Sequence, residues 1–197
     1  MEEFVLLARP FWVNLLILVP ILLFFYFRKN KLAISRKTLF YTFLFGASFG
    51  VIEASVLIYL RAATGLLPGF EGTIFDVWRQ SYEIYYNQEM LERQLPMSLR
   101  VFELIREIGT MVMLWAVAFI AASKWKERFA IFLFSFAAWD IFYYIHLWAT
   151  VRWPKSLTTP DVLFLIPEPW FAQVWFPILV SGATMFGIII NLRKKTK

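Results

Sequence analysis

Five long apolar runs constrain the fold of this 197-residue chain more than any other feature. Each run holds about the 20 residues that a helix needs to cross roughly 30 Å of hydrocarbon. Hydrophobic residues make up 60% of the chain, whereas soluble domains are nearer half apolar. The sequence therefore predicts an all-α integral membrane protein, a single transmembrane domain with a bundle of about five helices. The predicted spans are 10–27, 39–60, 101–123, 129–151 and 170–192.

Basic residues predict the orientation of these spans. Lys and Arg cluster at 28–37, at 124–128 and at 193–197, which are alternate segments and must lie on one side of the membrane. The positive-inside rule makes that side cytoplasmic, with the N-terminus outside. The acidic N-terminus lacks the basic region of a signal peptide, so we expect the first run to remain as an anchor. The net charge of +6 thus indicates a lipid bilayer as partner and no nucleic acid.

Two long connections are predicted on the outer side. The stretch 74–95 has no helix breaker and carries aromatic residues at spacings of three and four, which predicts an amphipathic helix. It is either an interfacial belt helix or a lid over a site. In 152–169, four prolines bracket the short apolar run 162–166, which is too short to span. This pattern predicts a re-entrant or interfacial hairpin in the outer mouth of the bundle.

Ionisable residues within the spans are the main functional signal, because a charge is costly in hydrocarbon. At a rise of about 1.5 Å per residue, Glu53, Glu107 and His146 lie roughly 9 to 12 Å from the outer ends of three different helices. Gly46 and Gly50 give the second span the small-residue spacing of a close helix contact, on nearly the same face as Glu53. Glu53 is therefore expected to point into the bundle.

These residues predict a polar pocket that opens toward the outside. Asp140 lies deeper and would form its floor. Arg106 would clamp an anion. Glu53, Glu107 and His146 would serve as ligands or acid–base groups. The catalytic candidates are Glu53, Glu107, Asp140 and His146. The candidate ligand-binding residues are Glu103, Arg106, Tyr143, Tyr144, Arg61 and Arg152.

The sequence allows two specific hypotheses about chemistry, a metal site and a serine protease. Glu53, Glu107 and His146 would offer oxygen and nitrogen ligands to a divalent metal, although the paired Glu-x-x-His motif of di-iron bundles is missing. A single histidine excludes bis-histidine haem within the chain, and there is no cysteine. Gly46-Ala-Ser48-Phe-Gly50 matches the GxSxG pattern of a serine protease. Together with His146 it resembles the rhomboid arrangement, which pairs one Ser with one His on different helices. Ser48 would lie roughly 10 Å below His146, however.

Less specific interpretations stay open, because no motif in the sequence identifies a reaction. Arg106 with Glu103 or Glu107 is also typical of a structural ion pair, and buried carboxyls also hold helices together. The pocket would bind a small polar ligand, a metal ion or a lipid headgroup. The first alternative is a non-catalytic accessory subunit of a larger membrane complex. The second is a proton-coupled carrier that acts as a homo-oligomer, with Asp140 and Glu53 as its titrating groups.

One block of sequence resembles a known family. Trp139-Asp-Ile-Phe-Tyr-Tyr, then Trp153-Pro-Lys-Ser-Leu-Thr-Thr-Pro-Asp161 and Pro167-Glu-Pro-Trp170 look like a family of uncharacterised bacterial multi-pass membrane proteins. Arg106-Glu107 is similar to the start of that family's corresponding helix. The resemblance covers roughly half the chain and implies placement in a bacterial or archaeal inner membrane. It implies no reaction, but it draws attention to Asp140, Trp153, Pro154 and Asp161.

Overall fold

The computed structural model describes residues 7–63 and 97–193, and this part of the chain is mostly helical. The predicted amphipathic helix at 74–95 lies outside the described residues. A 3₁₀ helix at Phe11–Ile17 runs directly into the first α-helix. The elements that follow are α1 (Leu18–Lys29), α2 (Arg36–Ala63), α3 (Met97–Ala121), α4 (Trp125–Val151), β1 (Pro160–Phe164), β2 (Trp170–Gln173) and α5 (Trp175–Ile190).

Four helical segments are long and apolar enough to cross a membrane. They are Phe11–Lys29, Arg36–Tyr59, Val101–Ala121 and Trp125–Val151. Large apolar side chains on these segments face outward, and Ile120 is 87% exposed. Such outward apolar surface suits contact with lipid, where side chains need no burial against other protein. The prediction of a helical protein is confirmed for this part of the chain, with four apolar helices long enough to span a membrane.

The fifth predicted span, 170–192, differs from the structure. Its helix α5 begins only at Trp175 and has 16 residues, or about 24 Å of length. The first residues of the predicted span form strand β2 instead. Pro177 falls in the first turn of α5, where a missing backbone N–H is tolerated. The chain therefore has four full-length apolar helices and one shorter apolar helix in the part that is described.

The proline-bracketed segment is a β-hairpin, which corrects the all-α prediction. Strands β1 and β2 are antiparallel, and Val162 lies opposite Phe171. The outer edge of β2 is covered by Arg9, whose N–H donates to the Phe171 carbonyl at 2.8 Å and whose carbonyl accepts from the Phe171 N–H at 2.6 Å. Prolines exclude a helix here, and apolar and aromatic residues favour a strand.

Helices α2 and α4 make the closest helix contact. A Cβ atom added to Gly46 would lie 2.4 Å from the Ser135 carbonyl oxygen, and one added to Gly50 would lie 2.3 Å from that of Trp139. Only glycine permits backbones to approach so closely, as the small-residue spacing predicts. This contact fixes the face of α2 that points into the bundle, and thereby the direction of Glu53.

Candidate functional site

A cavity of about 130 Å³ lies between α2, α3, α4, α5 and the hairpin. Among the described residues, its wall contains five carboxyl side chains and one cation, Arg106. We call it the acidic cavity. The carboxyl groups belong to Glu53, Glu103, Glu107, Asp140 and Asp161. Four of these five acids are site residues that the sequence predicts, and the fifth, Asp161, comes from the hairpin.

Arg106 links two helices through two carboxylates. Its Nε and Nη2 donate to Glu103 Oε2 at 3.0 and 2.7 Å, one turn earlier on α3. Its Nη1 pairs with Glu53 Oε1 on α2. The Thr110 hydroxyl lies 3.5 Å from Glu53 Oε2. All three guanidinium nitrogens thus already bind carboxylate oxygens, which disfavours the anion-clamp role that the sequence suggests for Arg106.

Glu107 holds the hairpin against α3. Its Oε2 accepts the Leu165 N–H at 3.0 Å, and its Oε1 accepts the Leu165 and Ile166 N–H groups at 3.2 Å each. Glu107 is only 7% exposed. Backbone N–H groups that follow the end of a strand lack a ladder partner, and here the carboxylate supplies it. Glu107 is therefore both part of the cavity wall and an anchor for the hairpin.

Replacing Glu107 with alanine should loosen the hairpin. The change removes the acceptor for both N–H groups, and an unsatisfied buried donor costs about 1–3 kcal/mol. We expect faster amide hydrogen exchange at 160–173, measured by mass spectrometry in detergent, with little change in α4. Glu107→Gln keeps one acceptor oxygen and should show a smaller increase. Unchanged exchange in Glu107→Ala would contradict this anchoring role.

Two further carboxyl groups tie neighbouring elements to α4. The Ser181 hydroxyl of α5 donates to Asp140 Oδ2 at 2.7 Å. The Tyr144 hydroxyl donates to Asp161 Oδ2 at 2.6 Å, so β1 is bonded to α4. Ser181 is a site residue that sequence reasoning missed, since a single serine in an apolar run gives no distinct signal.

Aromatic side chains form the rest of the cavity wall. The Phe164 ring at the end of β1 stacks on Phe136 with ring centroids 5.9 Å apart, and it meets Trp139 edge-on at 6.1 Å. The indole N–H of Trp170 is buried and has no hydrogen-bond partner among residues 7–63 and 97–193. The seven aromatic residues of the wall are Phe136, Trp139, Tyr143, Tyr144, Phe164, Trp170 and Phe176.

His146 does not line the acidic cavity. Its Nε2 lies 3.0 Å from Ser55 Oγ, on a different face of α4 from Asp140. Among the described residues, no group of three or more His, Asp or Glu side chains is arranged to hold a metal ion. The predicted metal trio of Glu53, Glu107 and His146 is therefore not assembled in this part of the chain. Ser48 faces outward and is exposed, so it does not pair with His146 as a protease would require.

The two remaining predicted arginines do not contribute to the described cavity wall. Arg152 caps the end of α4 in a left-handed conformation, with φ of 58°. Its guanidinium lies over the Trp148 ring, 5.1 Å from the centroid. Arg61 belongs to α2, but its side chain lies outside the described part of the structure.

Comparisons of the chain with protein-family models, curated proteins and solved structures found no match. The class of protein is therefore defined by the fold and the site alone. It is a helical protein with four apolar helices long enough to span a membrane and a small, acidic, aromatic cavity that has a β-hairpin in its wall.

Proposed function

We propose that this chain is a multi-pass protein of a bacterial or archaeal inner membrane that binds a small organic cation in the acidic cavity. The N-terminus and the hairpin lie on the outer side, as the positive-inside rule indicates. A re-entrant hairpin is supported by the contact of Phe164 with Phe136, which lies about 22 Å along α4 from its end at Val151. The observation that carries the proposal is the excess of carboxyl groups over cations in the wall.

The charge balance of the cavity favours a cation. Arg106 is shared by Glu53 and Glu103. Glu107 and Asp140 bond only neutral donors and form no ion pair among the described residues. Hydrogen bonds to neutral donors offset part of the cost of a buried carboxylate but bring no compensating charge. A cationic ligand between these side chains supplies the missing charge.

The aromatic wall favours an organic cation over a metal ion. The face of an aromatic ring attracts a desolvated cation by about 2 kcal/mol, and cages of such rings recognise quaternary ammonium groups. A metal ion would need three or more ligands with defined geometry. That arrangement is absent from the described residues.

The size of the cavity limits the ligand. An engineered protein cavity of about 150 Å³ is large enough to bind benzene. The acidic cavity, at about 130 Å³, therefore suits a ligand of about six or seven non-hydrogen atoms. Choline is a suitable probe, because it is a quaternary ammonium compound of this size. Its neutral carbon isostere, 3,3-dimethylbutan-1-ol, is a matched control that differs only in charge.

The proposal is tested by thermal unfolding of the purified protein in mild detergent. A ligand that binds only the folded state raises the unfolding temperature in a concentration-dependent way. We expect choline to raise it, and the neutral isostere and inorganic phosphate to leave it unchanged. An equal shift with the isostere would contradict the proposal. No shift with choline or ethanolamine would favour the alternative of a structural subunit.

Asp140→Asn should separate ligand binding from folding. Asparagine has the same size and can still accept the Ser181 hydrogen bond, but it removes the charge. We expect at least a tenfold loss of choline affinity, about 1.4 kcal/mol, with a similar unfolding temperature in the absence of ligand. Ser181→Ala is the matched control, since it removes only the neutral donor and should keep most of the affinity. Equal affinity in Asp140→Asn and the wild type would argue against the cation site.

A further inference from the structure

A second cavity of about 1430 Å³ opens at the opposite end of the bundle from the hairpin. It lies between the start of α2, the middle of α4 and the end of α5. We call it the basic groove, because Arg36, Lys37 and Arg193 line it together with mainly apolar side chains. No acidic residue is part of its described wall.

The fold brings Arg193 into the same groove as Arg36 and Lys37, which are distant from it in the sequence. The Leu32 N–H donates to the Asn191 carbonyl at 3.1 Å, and the Arg193 N–H donates to the Leu32 carbonyl at 2.8 Å. These two bonds attach the end of α5 to the connection before α2. Arg193 therefore lies in the same groove as Arg36 and Lys37.

Like charges that share one groove repel each other unless an anion lies between them. Arg36, Lys37 and Arg193 are exposed and form no ion pair among the described residues. Because no acidic side chain of the described wall neutralises them, the groove is complementary to an anion. A cluster of basic residues next to the membrane is typical of sites for anionic lipid headgroups.

The rest of the groove selects an anion with an apolar tail. Its wall includes Phe40 and Phe43 of α2, Phe134 of α4, and Met185 and Ile189 of α5. An ion such as free phosphate would leave this apolar surface uncovered. An acyl chain would cover it while the phosphate remained at the basic rim.

We propose that the basic groove binds one anionic glycerophospholipid, with its phosphate among the three cations and an acyl chain along the apolar wall. The proposed orientation puts the groove in the cytoplasmic leaflet. This site is separate from the acidic cavity and does not depend on the function proposed for it.

Native mass spectrometry of the detergent-purified protein tests this lipid site. The protein is incubated with equal amounts of phosphatidylglycerol and phosphatidylcholine that carry the same acyl chains. We expect the wild type to retain the anionic lipid by about tenfold over the zwitterionic one, since each basic residue near a phosphate adds to the attraction. In the triple variant R36Q/K37Q/R193Q the preference should fall to within about twofold.

A matched control variant removes the same charge elsewhere at the same end of the bundle. Arg28, Lys29 and Lys124 are exposed there, and none of them lines the basic groove. R28Q/K29Q/K124Q should keep the wild-type preference. An equal loss in both triple variants would assign the effect to general surface charge and overturn the proposal. Equal retention of both lipids by the wild type would also overturn it.

Discussion

Gly50→Ala is expected to destabilise the folded protein by about 1–3 kcal/mol. The added Cβ would lie 2.3 Å from the Trp139 carbonyl oxygen and 2.8 Å from the Tyr143 backbone nitrogen. Both are backbone atoms, so no side-chain rotation relieves the overlap and the two helices must move apart. Gly46→Ala should behave similarly, because its Cβ would lie 2.4 Å from the Ser135 carbonyl oxygen. The free energy of unfolding is measured by titration with a denaturing detergent.

Two other glycines provide the control. A Cβ added to Gly109 or to Gly182 has no atom within 4 Å. Alanine also favours a helix over glycine by roughly 0.5–1 kcal/mol. Gly109→Ala and Gly182→Ala should therefore be neutral or slightly stabilising, opposite in sign to the changes at the α2–α4 contact. Equal stability of Gly50→Ala and Gly109→Ala would show that the helices do not approach as described.

Arg106→Gln is expected to be the most destabilising of the single changes in the cavity wall. It leaves the Glu53 and Glu103 side chains, each 11% exposed, without their cation. Removing one partner of a buried ion pair typically costs about 3–5 kcal/mol. Arg106→Lys keeps the charge but loses the forked contact, so we expect an intermediate loss. The same detergent titration measures both.

A triple variant tests the electrostatic reason for this loss. In E53Q/E103Q/R106Q no charge remains to be compensated, and the amides can still form hydrogen bonds. We expect it to recover part of the stability that Arg106→Gln loses, despite two additional substitutions. If the triple variant is less stable than Arg106→Gln, the guanidinium contributes by packing, and the account of this ion-paired group is wrong.

The apolar spans were predictable because hydrophobicity over 20 residues is a local property of the sequence. The second, third and fourth predicted spans differ from α2, α3 and α4 by a few residues at their ends. The fifth predicted span began too early, because Trp170 and Phe171 continue the apolar pattern of the following helix without a break. Their strand conformation depends on pairing with β1, the other strand of the hairpin, and with Arg9, which is distant in sequence.

The cavity was only partly predictable, since helix rise gives the depth of a residue but not its direction. Glu53, Glu107 and His146 have similar depths, yet only the two glutamates line the acidic cavity. His146 follows Asp140 by six residues, which turns its side chain by about 240° around the helix axis. It therefore faces Ser55. The glycine spacing in α2 was the better guide, because it identified the inward face that includes Glu53.

The polar contacts between the hairpin and the helices depend on the tertiary fold. Glu107 accepts backbone N–H groups of the hairpin, and no side-chain pattern predicts such partners. Asp161 was noted in the sequence only through a family resemblance. Its bond to Tyr144 follows from the path of β1 alongside α4. Sequence reasoning thus located the acidic layer but not the hairpin groups that enclose it.

The most direct measurement of the central claim is to locate a cation in the acidic cavity by crystallography. Arsenocholine, in which arsenic replaces the choline nitrogen, has the same charge and shape and gives an anomalous diffraction signal. We expect one arsenic peak per chain, between Asp140, Glu107 and the ring of Phe164, and a much weaker peak in Asp140→Asn crystals at the same ligand concentration. An arsenic peak found only outside the cavity, or no peak at saturating ligand, would contradict the account.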